Sequence, residues 1–585
     1  MCGIFGVIGQ DTNAVQTTFN GLKDIEYRGY DSWGIASWNI EDGIWKIEKN
    51  TGFLPKIMDS RFRGNDGVGL AIGHTRWATH GGVTQINAHP HKDCSGKLVL
   101  VHNGIVENYL ELKKTLKSHN LKSETDTEVI VHLIEEALKK NGLNQAVLNI
   151  FQKLRGLNAI VVSDGNEIIA AKVGSPLIAG VGNGKLFIAS DPNALLPHTK
   201  KLVFLQDNQL IRLNKELELY NSLNSRKLQP IITTVPWEHS TSGLQKYKYF
   251  LEKEIYEQPK ALRNIAQNAK EVEQVAGMIR KAYGTFFIAC GSASYSCLLG
   301  VYLFSKIAKK HVNFSVGSEF NYIEDYIKPK SLVVAVSQSG ESIDTLEPVL
   351  SAKKHGAKTV ALVNVLGSTL YRSVDFPVLL RAGVEKAVCS TKALTAMFAH
   401  MVFLSYCLVG KRKTAQKIIL ESAREIESIL KRRSAIKNLA GKIFHQKNIF
   451  ILGRGLSYPV AMESSLKIKE NAYIHAEGFA GGELKHGVIA LIEKNTPVIV
   501  FVPEDETKQA ILANAMEVKA RGAFIIGVGP ENNPVFDFFF KVRDVGASSV
   551  IPHPVFAQLL SYYLALKLGL NPDRPRNLAK SVVVR

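Results

Sequence analysis

Cys2 directly follows the initiator methionine and is the first residue that could carry covalent chemistry. A small side chain at position 2 generally allows removal of that methionine, so we expect the mature chain to begin with Cys2. The α-amine of a terminal cysteine, with a pKa of about 8, can act as the general base for its own thiol. An ordinary cysteine at the start of a strand is the alternative, and Cys2 alone does not decide between them.

Later segments carry residue types that could hold an amino acid beside Cys2. Arg76 lies in a run bounded by glycines, and its guanidinium can bind an α-carboxylate through two hydrogen bonds. Asp126 opens a predicted helix and suits an α-ammonium group. Asn103 and Gly104 follow a predicted strand, where their N–H groups could stabilise an oxyanion. Taken singly, each also fits a structural role as a surface arginine, a helix cap or a turn.

A hydroxyl-rich loop follows the predicted strand at 333–336. Its polar residues include Ser337, Gln338, Ser339 and Ser342. Serine hydroxyls and the N–H groups at the start of the next helix are the donors that a phosphate needs. The loop has no lysine and differs from a GxxxxGK[ST] nucleotide loop. A serine-rich helix cap is the alternative, and Ser390 offers a further hydroxyl before another predicted helix.

Four residues towards the C-terminus suit acid–base or amine chemistry. Lys467 and Glu470 are three apart in a helical pattern and share a face, for which a surface ion pair is the alternative. His486 lies in a polar segment bounded by glycines and can exchange a proton near neutral pH. Lys580 lies close to the C-terminus, where a lysine is usually a solvated charge.

The composition is that of a soluble globular chain. Its 585 residues are 45% hydrophobic and 21% charged, which excludes a mainly disordered protein and indicates several domains. The net charge of +19 is not concentrated in a tail. Small phosphorylated substrates explain this charge as well as nucleic acid does, and we expect no nucleic-acid partner.

Neither secretion nor membrane insertion is expected. The N-terminus has no basic segment before its apolar run. The uncharged stretch 393–410 contains Thr395 and His400 and is predicted to be a buried helix rather than a membrane span. The six cysteines form no CxxC pair and have no metal-ligand spacing. We therefore expect a cytoplasmic protein with free thiols and no metal site.

The elements that must position these residues divide the chain in two. Short apolar runs punctuated by Gly, Asn and Asp predict strands at 99–102, 159–163, 168–172, 186–189 and 202–205. Helical patterns cover 126–140 and 143–154. These elements predict an α+β domain over residues 2–238, with 60–67 as a surface insertion. Residues 239–280 are assigned to a linker and lead-in helices.

The second half alternates strands and helices, which predicts an α/β fold with parallel sheets. Three predicted strands, at 286–291, 332–336 and 359–363, have counterparts at 449–454, 497–501 and 523–527. The separation is nearly constant, which is the signature of an internal repeat. We predict two copies of one subdomain, at 281–415 and 440–570, and a C-terminal tail at 571–585.

The motifs of the first half occur in an order that resembles the class II glutamine amidotransferases, which are N-terminal nucleophile (Ntn) hydrolases. The motifs are Cys2-Gly-Ile-Phe-Gly, Tyr27-Arg-Gly-Tyr-Asp-Ser and the segments 74–81, 87–90, 102–104 and 123–128. The resemblance implies hydrolysis of glutamine to glutamate and ammonia through a thioester on Cys2. The implied glutamine-binding residues are Arg76, Thr79, His80, Gly104 and Asp126. Trp77 would gate the path of ammonia, and His89 would lie near the site without an assigned role.

The motifs of the second half resemble a tandem pair of sugar isomerase (SIS) domains, which have flavodoxin-like parallel sheets. The motifs lie at 337–342, 390–392, 467–470, 475–477, 482–487 and 578–581. The implied sugar-phosphate ligands are Ser337, Gln338, Ser339, Ser342 and Ser390. Lys580 would form a Schiff base with the sugar carbonyl, and Glu470, with Lys467 close by, would move a proton between C1 and C2. His486 would assist ring opening in the neighbouring subunit's site.

One position departs from the pattern of the SIS family. Ala293 stands where a phosphate-binding serine is common, in the loop and helix start after the first strand. Ser292 or Ser294 could bind the phosphate in its place, and we assign Ser292 to the phosphate site on that basis.

The two halves together resemble the isomerizing amidotransferases that act on glutamine and fructose 6-phosphate. The resemblance implies formation of glutamate and glucosamine 6-phosphate, the first step towards UDP-N-acetylglucosamine, with ammonia channelled between the sites. Imine formation and proton transfer need no cofactor, and we expect a homodimer. Another class II amidotransferase is an alternative, but phosphoribosyl and ATP-binding fingerprints are absent from the sequence. A non-catalytic SIS-type sensor is another, although a sensor would not need Cys2.

Overall fold

The computed structural model describes residues 2–9, 13–58, 69–236, 243–268 and 270–582. The chain forms two compact units, one of Met1–Thr241 with Ala579–Arg585 and one of Ser242–Leu578. The predicted insertion at 60–67 and most of the predicted boundary at 239–243 lie outside the described residues.

The first unit contains two antiparallel sheets. In spatial order, the first sheet consists of Thr233–Thr234, Lys201–Phe204, Ile178–Gly182, Lys185–Ala189, Gly3–Gly9, Leu70–Arg76, Ser32–Asn39 and Ile44–Thr51. The second consists of Lys227–Leu228, Leu217–Asn221, Gln209–Leu213, Ile168–Val173, Asn158–Ser163, Val99–Gly104 and His91–Lys92. The five strands predicted from the sequence are present, with ends that differ by one or two residues.

Helices cover the sheets of the first unit on their outer faces. Ala14–Ile25 packs on the first sheet through residues such as Phe19. Asp126–Leu138 and Leu143–Phe151 pack on the second, and a short helix spans Tyr109–Lys113. An apolar core that includes Ile4, Ile72 and Val101 lies between the sheets. This layering of helix, sheet, sheet and helix confirms the predicted α+β fold.

The second unit contains two parallel sheets of identical connectivity. Their strands, in spatial order, are Asn313–Val316, Thr285–Ala289, Leu332–Ser337, Lys358–Val363 and Phe376–Leu379, and His475–Ala480, Asn448–Gly453, Pro497–Phe501, Phe524–Gly529 and Phe538–Lys541. Numbered along the chain, each sheet has the order 2-1-3-4-5, which is the flavodoxin-like arrangement. The repeat predicted from the sequence is therefore confirmed.

Helices surround both sheets of the second unit. They span Phe250–Gln267, Lys270–Lys281, Ser292–Leu303, Gly317–Phe320, Ile343–Lys354, Thr369–Ser373, Lys392–Leu408, Arg412–Lys431, Arg433–Ile443, Ser457–Ala472, Lys508–Lys519 and His553–Lys567. Lys392–Leu408 is buried along almost all of its length, as predicted. No helix in the described part of the chain has the length and apolar character that a membrane span requires.

The helices that precede the first SIS copy belong to the core of the second unit. Leu251, Ile255 and Leu262 of the helix Phe250–Gln267 are buried in one apolar cluster with residues of both copies. Residues 250–281 therefore help to hold the two copies together.

Candidate active sites

The strand Gly3–Gly9 places Cys2 at one end of the first sheet. The strand is paired on both sides by antiparallel neighbours. The Ile4 N–H also donates to Ser190 Oγ at 3.0 Å. These bonds fix the chain where it leaves the sheet, so that Cys2 lies beside the loop that begins after Arg76.

The Cys2 thiol lies against the main chain of Trp77. The Trp77 N–H donates to Cys2 Sγ at 3.3 Å, and Sγ lies 3.6 Å from the Trp77 carbonyl oxygen. The Asn103 side-chain amide donates to the Cys2 carbonyl at 3.1 Å. Burial raises the pKa of the Cys2 thiol. The thiol is therefore protonated near neutral pH and needs a base before it can attack.

One small cavity collects the residues that the resemblance assigns to glutamine. Its lining includes Cys2, Arg76, Trp77, Thr79, His80, His89, His102, Gly104, Thr125, Asp126 and Thr127. Asn103 precedes Gly104 on the strand Val99–Gly104. The structure thus brings the predicted residues of the glutamine half together around the thiol.

Arg76 is tethered by the loop that follows it. Its guanidinium donates to the carbonyl oxygens of His80, Gly81 and Gly82, the latter two at 3.2 Å. Burial lowers the pKa of Arg76, but a guanidinium starts so high that it keeps its charge at neutral pH. Arg76 therefore lines the cavity as a fixed cation suited to a carboxylate.

Asp126 supplies the opposite charge. It is the first residue of the helix Asp126–Leu138, which Thr125 caps by accepting from the Glu128 N–H at 3.3 Å. One Asp126 oxygen accepts from the Val106 N–H at 2.8 Å. Because the carboxylate is buried and fixed in place, it suits the α-ammonium of an amino acid whose carboxylate is bound at Arg76.

Gly104 is required at the end of its strand. Its φ is +134°, and a Cβ at this position would lie 2.1 Å from the Leu157 carbonyl oxygen. A larger residue would therefore displace the strand end that carries Asn103.

Buried histidines support Asn103. His74 Nε2 lies 3.1 Å from Asn103 Oδ1 and 2.9 Å from the His102 carbonyl oxygen. The His89 ring stacks on His74 with centroids 4.2 Å apart, and its Nδ1 accepts from the His102 N–H at 3.4 Å. Burial lowers the pKa of His74 to about 3 and that of His89 well below its usual value. Both rings are therefore neutral, and His89 positions its neighbours rather than exchanging protons.

In the second unit, a tight loop follows the strand Leu332–Ser337. Ser337 Oγ accepts from the Gly340 N–H at 3.0 Å, and Ser339 Oγ accepts from the Glu341 N–H at 3.2 Å. Gly340 has a φ of +66°, and a Cβ there would lie 2.1 Å from a neighbouring serine oxygen. The loop therefore depends on glycine for its shape.

The helix Ile343–Lys354 begins at the end of this loop. Ser342 precedes it and, in the described part of the chain, makes no side-chain capping bond to it. Gln338 and Ser339 lie in the same turn. Serine side chains and a helix N-terminus thus occur together, which is the arrangement expected of a phosphate site.

Ser390 lies in a segment fixed by Glu385. Its hydroxyl donates to Glu385 at 3.2 Å, and the same carboxylate accepts from the N–H groups of Thr391 and Ala393 at 2.9 and 3.0 Å. The neighbouring Cys389 lies 3.0 Å from Asn471 Oδ1, on the helix that carries Lys467. Ser390 is therefore positioned beside that helix.

Ser292 and Ser294 use their hydroxyl protons within the protein. Ser292 donates to Glu463 Oε1 at 3.2 Å, and Ser294 donates to the Gly291 carbonyl at 2.7 Å. A phosphate is an acceptor, so either serine would have to break this bond to bind the phosphate in place of Ala293. The structure places Ser292 on a carboxylate rather than on the phosphate loop.

Lys467 lies between two carboxylates on the helix Ser457–Ala472. It is 1% exposed, donates to Glu470 and lies 3.5 Å from Glu463 Oε1. This burial excludes the surface ion pair considered from the sequence. Burial alone would lower the pKa of Lys467, but the two carboxylates raise it overall. Lys467 is therefore a permanent cation.

Glu463 was not predicted from the sequence. It is fully buried, and its Oε2 has no hydrogen-bond partner among the described residues. Burial raises its pKa to about 7, although Lys467 opposes the shift. Its position four residues before Lys467, on the same helix face, was the available signal.

Two predicted residues, His486 and Lys580, remain. His486 ends the short helix Glu483–His486 and is exposed. Lys580 is half-buried and belongs to the first unit with the residues Ala579–Arg585. Their assigned roles stay predictions.

Family models match both halves of the chain. A glutamine amidotransferase domain model matches residues 74–197. An SIS domain model matches twice, at residues 278–405 and 442–534. The two SIS matches fall on the two copies of the parallel sheet.

Similar proteins extend over the whole chain. Glutamine–fructose-6-phosphate aminotransferases (isomerizing) from Thermococcus kodakarensis and Aquifex aeolicus are each 40% identical, over 608 and 598 residues that cover 100% of both sequences. The one from Thermus thermophilus is 39% identical over 610 residues.

Solved structures resemble the second unit. The C-terminal domain of glucosamine-fructose-6-phosphate aminotransferase from Francisella tularensis is 30% identical with a TM-score of 0.54, covering 57% of this chain and 100% of that one. The tagatose-6-phosphate ketose/aldose isomerase from Escherichia coli is 18% identical with a TM-score of 0.50, covering 58% of this chain and 96% of that one. At that identity the second likeness shows the fold alone.

Proposed function

This chain belongs to the glutamine–fructose-6-phosphate aminotransferase (isomerizing) family, and we propose that it transfers the side-chain nitrogen of glutamine to fructose 6-phosphate. The products are glutamate and glucosamine 6-phosphate. The observation that carries this proposal is the cavity in which Cys2 lies with Arg76 and Asp126. A sugar-phosphate sensor has no use for a nucleophile beside a pair of charges that fits an amino acid.

In the first unit, Arg76 binds the α-carboxylate of glutamine and Asp126 binds its α-ammonium. The α-amine of Cys2, freed by removal of the methionine, takes the thiol proton, because burial keeps the thiol protonated. The thiolate attacks the side-chain amide, and Asn103 and the Gly104 N–H stabilise the oxyanion. Ammonia leaves, and water hydrolyses the thioester to glutamate. Trp77, which contacts the thiol, gates the departure of ammonia.

For the sugar chemistry, the loop 337–342 and Ser390 hold the phosphate, and His486 assists ring opening from the partner subunit. Lys580 condenses with the C2 carbonyl and releases water. Ammonia then adds to the imine carbon and displaces the lysine amine. Glu470 moves a proton from C1 to C2, and the C1 hydroxyl proton passes to the imine nitrogen, giving the aldehyde at C1 and the amine at C2. Lys467 cannot replace Lys580, because its carboxylate neighbours keep it protonated and a protonated amine is no nucleophile.

The experiment is to supply glutamine that carries heavy nitrogen in its side-chain amide, with fructose 6-phosphate and without free ammonium. We expect glucosamine 6-phosphate whose mass is raised by one heavy nitrogen, in a ratio to glutamate close to one. Glutamate release without any amino sugar would refute transfer and favour a simple glutaminase. If neither glutamate nor glucosamine 6-phosphate formed, the result would favour the sensor.

Three finer assignments are part of the proposal. A homodimer follows from the role given to His486, whose exposure leaves it accessible to a second subunit. A cytoplasmic location is supported by the cysteines, all six of which are free. We keep the boundaries 2–238, 239–280, 281–415, 440–570 and 571–585 as the domain limits.

A further inference from the structure

We propose that Cys94, His119, His132 and Glu135 of the first unit bind a structural zinc ion. One ligand atom from each of these residues lies within 4.8 Å of the others. We call this set the thiol–imidazole cluster. It lies outside the glutamine cavity, and neither half of the proposed reaction uses it.

Four of the distances within the thiol–imidazole cluster are close to those of a tetrahedral metal site. Cys94 Sγ lies 3.3 Å from His119 Nδ1 and 3.6 Å from His132 Nδ1. Glu135 Oε2 lies 3.2 Å from His119 Nδ1 and 3.0 Å from His132 Nδ1. Zinc bonds of about 2.0 to 2.3 Å at tetrahedral angles place neighbouring ligand atoms about 3.3 to 3.6 Å apart.

Hydrogen bonds account for part of this arrangement, because the Nδ1–H groups of both imidazoles can donate to Glu135 Oε2, which also accepts from the Cys94 N–H at 3.1 Å. The Cys94 sulfur lies close to two imidazole nitrogens, but a thiol has one proton and can donate to only one of them. Both imidazoles point the same nitrogen, Nδ1, at the centre. A central cation explains the convergence of all the ligand atoms. A thiolate, a carboxylate and two neutral imidazoles also balance the charge of a divalent ion.

The outer nitrogens of both imidazoles face carboxylates. His119 Nε2 is hydrogen-bonded to Glu136 Oε1 at 2.7 Å. His132 Nε2 lies 3.8 Å from Glu128 Oε1, too far for a hydrogen bond. A carboxylate hydrogen-bonded behind a metal-bound histidine, as Glu136 is behind His119, fixes the tautomer that presents the other nitrogen to the metal. The side chains of both histidines are 5% exposed or less, so their orientation is set by the protein.

Zinc is the ion that this donor set fits best. Sulfur, nitrogen and oxygen ligands in a tetrahedron are typical of zinc, and four protein ligands leave no open position for catalysis. Cys94 is exposed, which gives the ion a path from solvent. On binding, the thiol proton is released to solvent and the sulfur forms the metal bond.

The ion would join three segments. Cys94 lies in the turn between the strands His91–Lys92 and Val99–Gly104, and His119 lies in the loop before the helix Asp126–Leu138, which carries the other two ligands. That helix begins with Asp126, which lines the glutamine cavity. Zinc would therefore stabilise the first unit and fix the position of Asp126, which is proposed to bind the α-ammonium group of glutamine.

The test uses the full-length protein, stripped with a chelator and reloaded with Zn²⁺ or Co²⁺ under reducing conditions. We expect about one metal ion per chain, a thiolate-to-cobalt charge-transfer band, and a higher melting temperature with Zn²⁺ than without. Cys94→Ser should lose the band and the zinc-dependent shift. Because Cys94 is exposed, the variant should still fold. The exposed His355→Ala, in the second unit, is the matched control and should keep both signals.

A second variant distinguishes zinc binding at this site from unspecific effects of mutation on the protein. Glu136→Gln keeps the four ligands but weakens the support of His119, and should lower zinc affinity about 10- to 100-fold. Binding that Cys94→Ser leaves unchanged, or a cobalt spectrum without a charge-transfer band, would mean an adventitious ion only. Failure of the wild-type protein to bind either ion would also overturn the proposal.

Discussion

The two SIS copies share one strand order but differ in the loop after the third strand of each copy. In the first copy, the strand Leu332–Ser337 is followed by Gln-Ser-Gly-Glu-Ser; in the second, Pro497–Phe501 is followed by Val-Pro-Glu-Asp-Glu-Thr. The acidic loop is held by ion pairs, with Lys306 2.7 Å from Glu506 and Lys508 2.7 Å from Glu504. Three carboxylates disfavour a phosphate even beside these lysines, which supports our placing the sugar phosphate in the first copy.

The helix after the first strand of each copy also differs between the copies, in its charged residues. Ser292–Leu303 of the first copy has no charged residue, whereas Ser457–Ala472 of the second carries Glu463, Lys467 and Glu470. In the function proposed above, the copies therefore divide the work, with phosphate binding in the first and proton transfer in the second. The comparison shows that a duplicated fold sets positions, while a few side chains decide what each position does.

The largest expected effect is on proton transfer in the second copy. Glu470→Gln keeps the size of the side chain but removes the base, and should slow formation of glucosamine 6-phosphate about 100- to 10,000-fold. Lys469→Ala, an exposed neighbour on the same helix, should leave the rate nearly unchanged. Steady-state rates of amino-sugar formation test this prediction. Equal rates for the two variants would show that Glu470 is not the base.

Removal of the buried cation should destabilise the second unit. Lys467→Met leaves two carboxylates without their partner, and breaking a buried ion pair costs about 3 to 5 kcal/mol. Circular dichroism during urea unfolding would report this loss. All five tryptophans precede residue 240, so tryptophan fluorescence follows the first unit as an internal control. A circular dichroism midpoint like that of Lys469→Ala would show that the pair contributes little.

Glu463 should make the stability of the second unit depend on pH. Folding raises the pKa of its carboxyl from the ordinary 4.5 to about 7. Such a group stabilises the fold fully below the unfolded pKa, and the contribution is lost as pH rises through the folded pKa. The stability of the wild type relative to Glu463→Gln should therefore fall by up to about 3 kcal/mol between about pH 4.5 and about pH 7.5.

Urea unfolding of both proteins across this range tests the shift. If the difference in unfolding free energy between the wild type and Glu463→Gln stays constant with pH, Glu463 has the same pKa in the folded and unfolded chains. A difference that grows with pH would reverse the sign of the assignment.

The smallest effect should be in phosphate binding by the first copy. Ser342→Ala removes one donor to a charged ligand, worth about 1.5 to 3 kcal/mol, and should raise the KM for fructose 6-phosphate about 10- to 100-fold. Thr507→Ala is the matched change, because Thr507 also directly precedes a helix, Lys508–Lys519. Equal KM values for both variants would contradict the division between the copies.

The repeat could be predicted from sequence because parallel strands buried on both faces leave continuous apolar runs. That the residues assigned to glutamine line one cavity could be predicted, because their motifs lie at strand ends that one sandwich brings together. In the second unit, Glu463 was missed because a helix carboxylate in sequence looks like a surface charge. The assignment of Ser292 to the phosphate stays a prediction, and the sequence does not show that its hydroxyl donates to Glu463.

The thiol–imidazole cluster could not be predicted from the sequence either. Its ligands come from a turn, a loop and a helix, and only the helical pair His132 and Glu135 has a regular spacing. The cysteine spacing therefore predicted no metal site. Side chains that meet across three segments are set by tertiary packing, which motif spacing does not record.

The most direct test of two separate sites is the nitrogen source used by Cys2→Ala. The variant removes the nucleophile of the first unit and leaves the sugar-binding side chains of the second unchanged. We predict that glutamine-dependent formation of glucosamine 6-phosphate is abolished, while formation from high ammonium proceeds at close to the wild-type rate. Equal loss with both nitrogen sources would contradict the separation of glutamine hydrolysis from sugar chemistry.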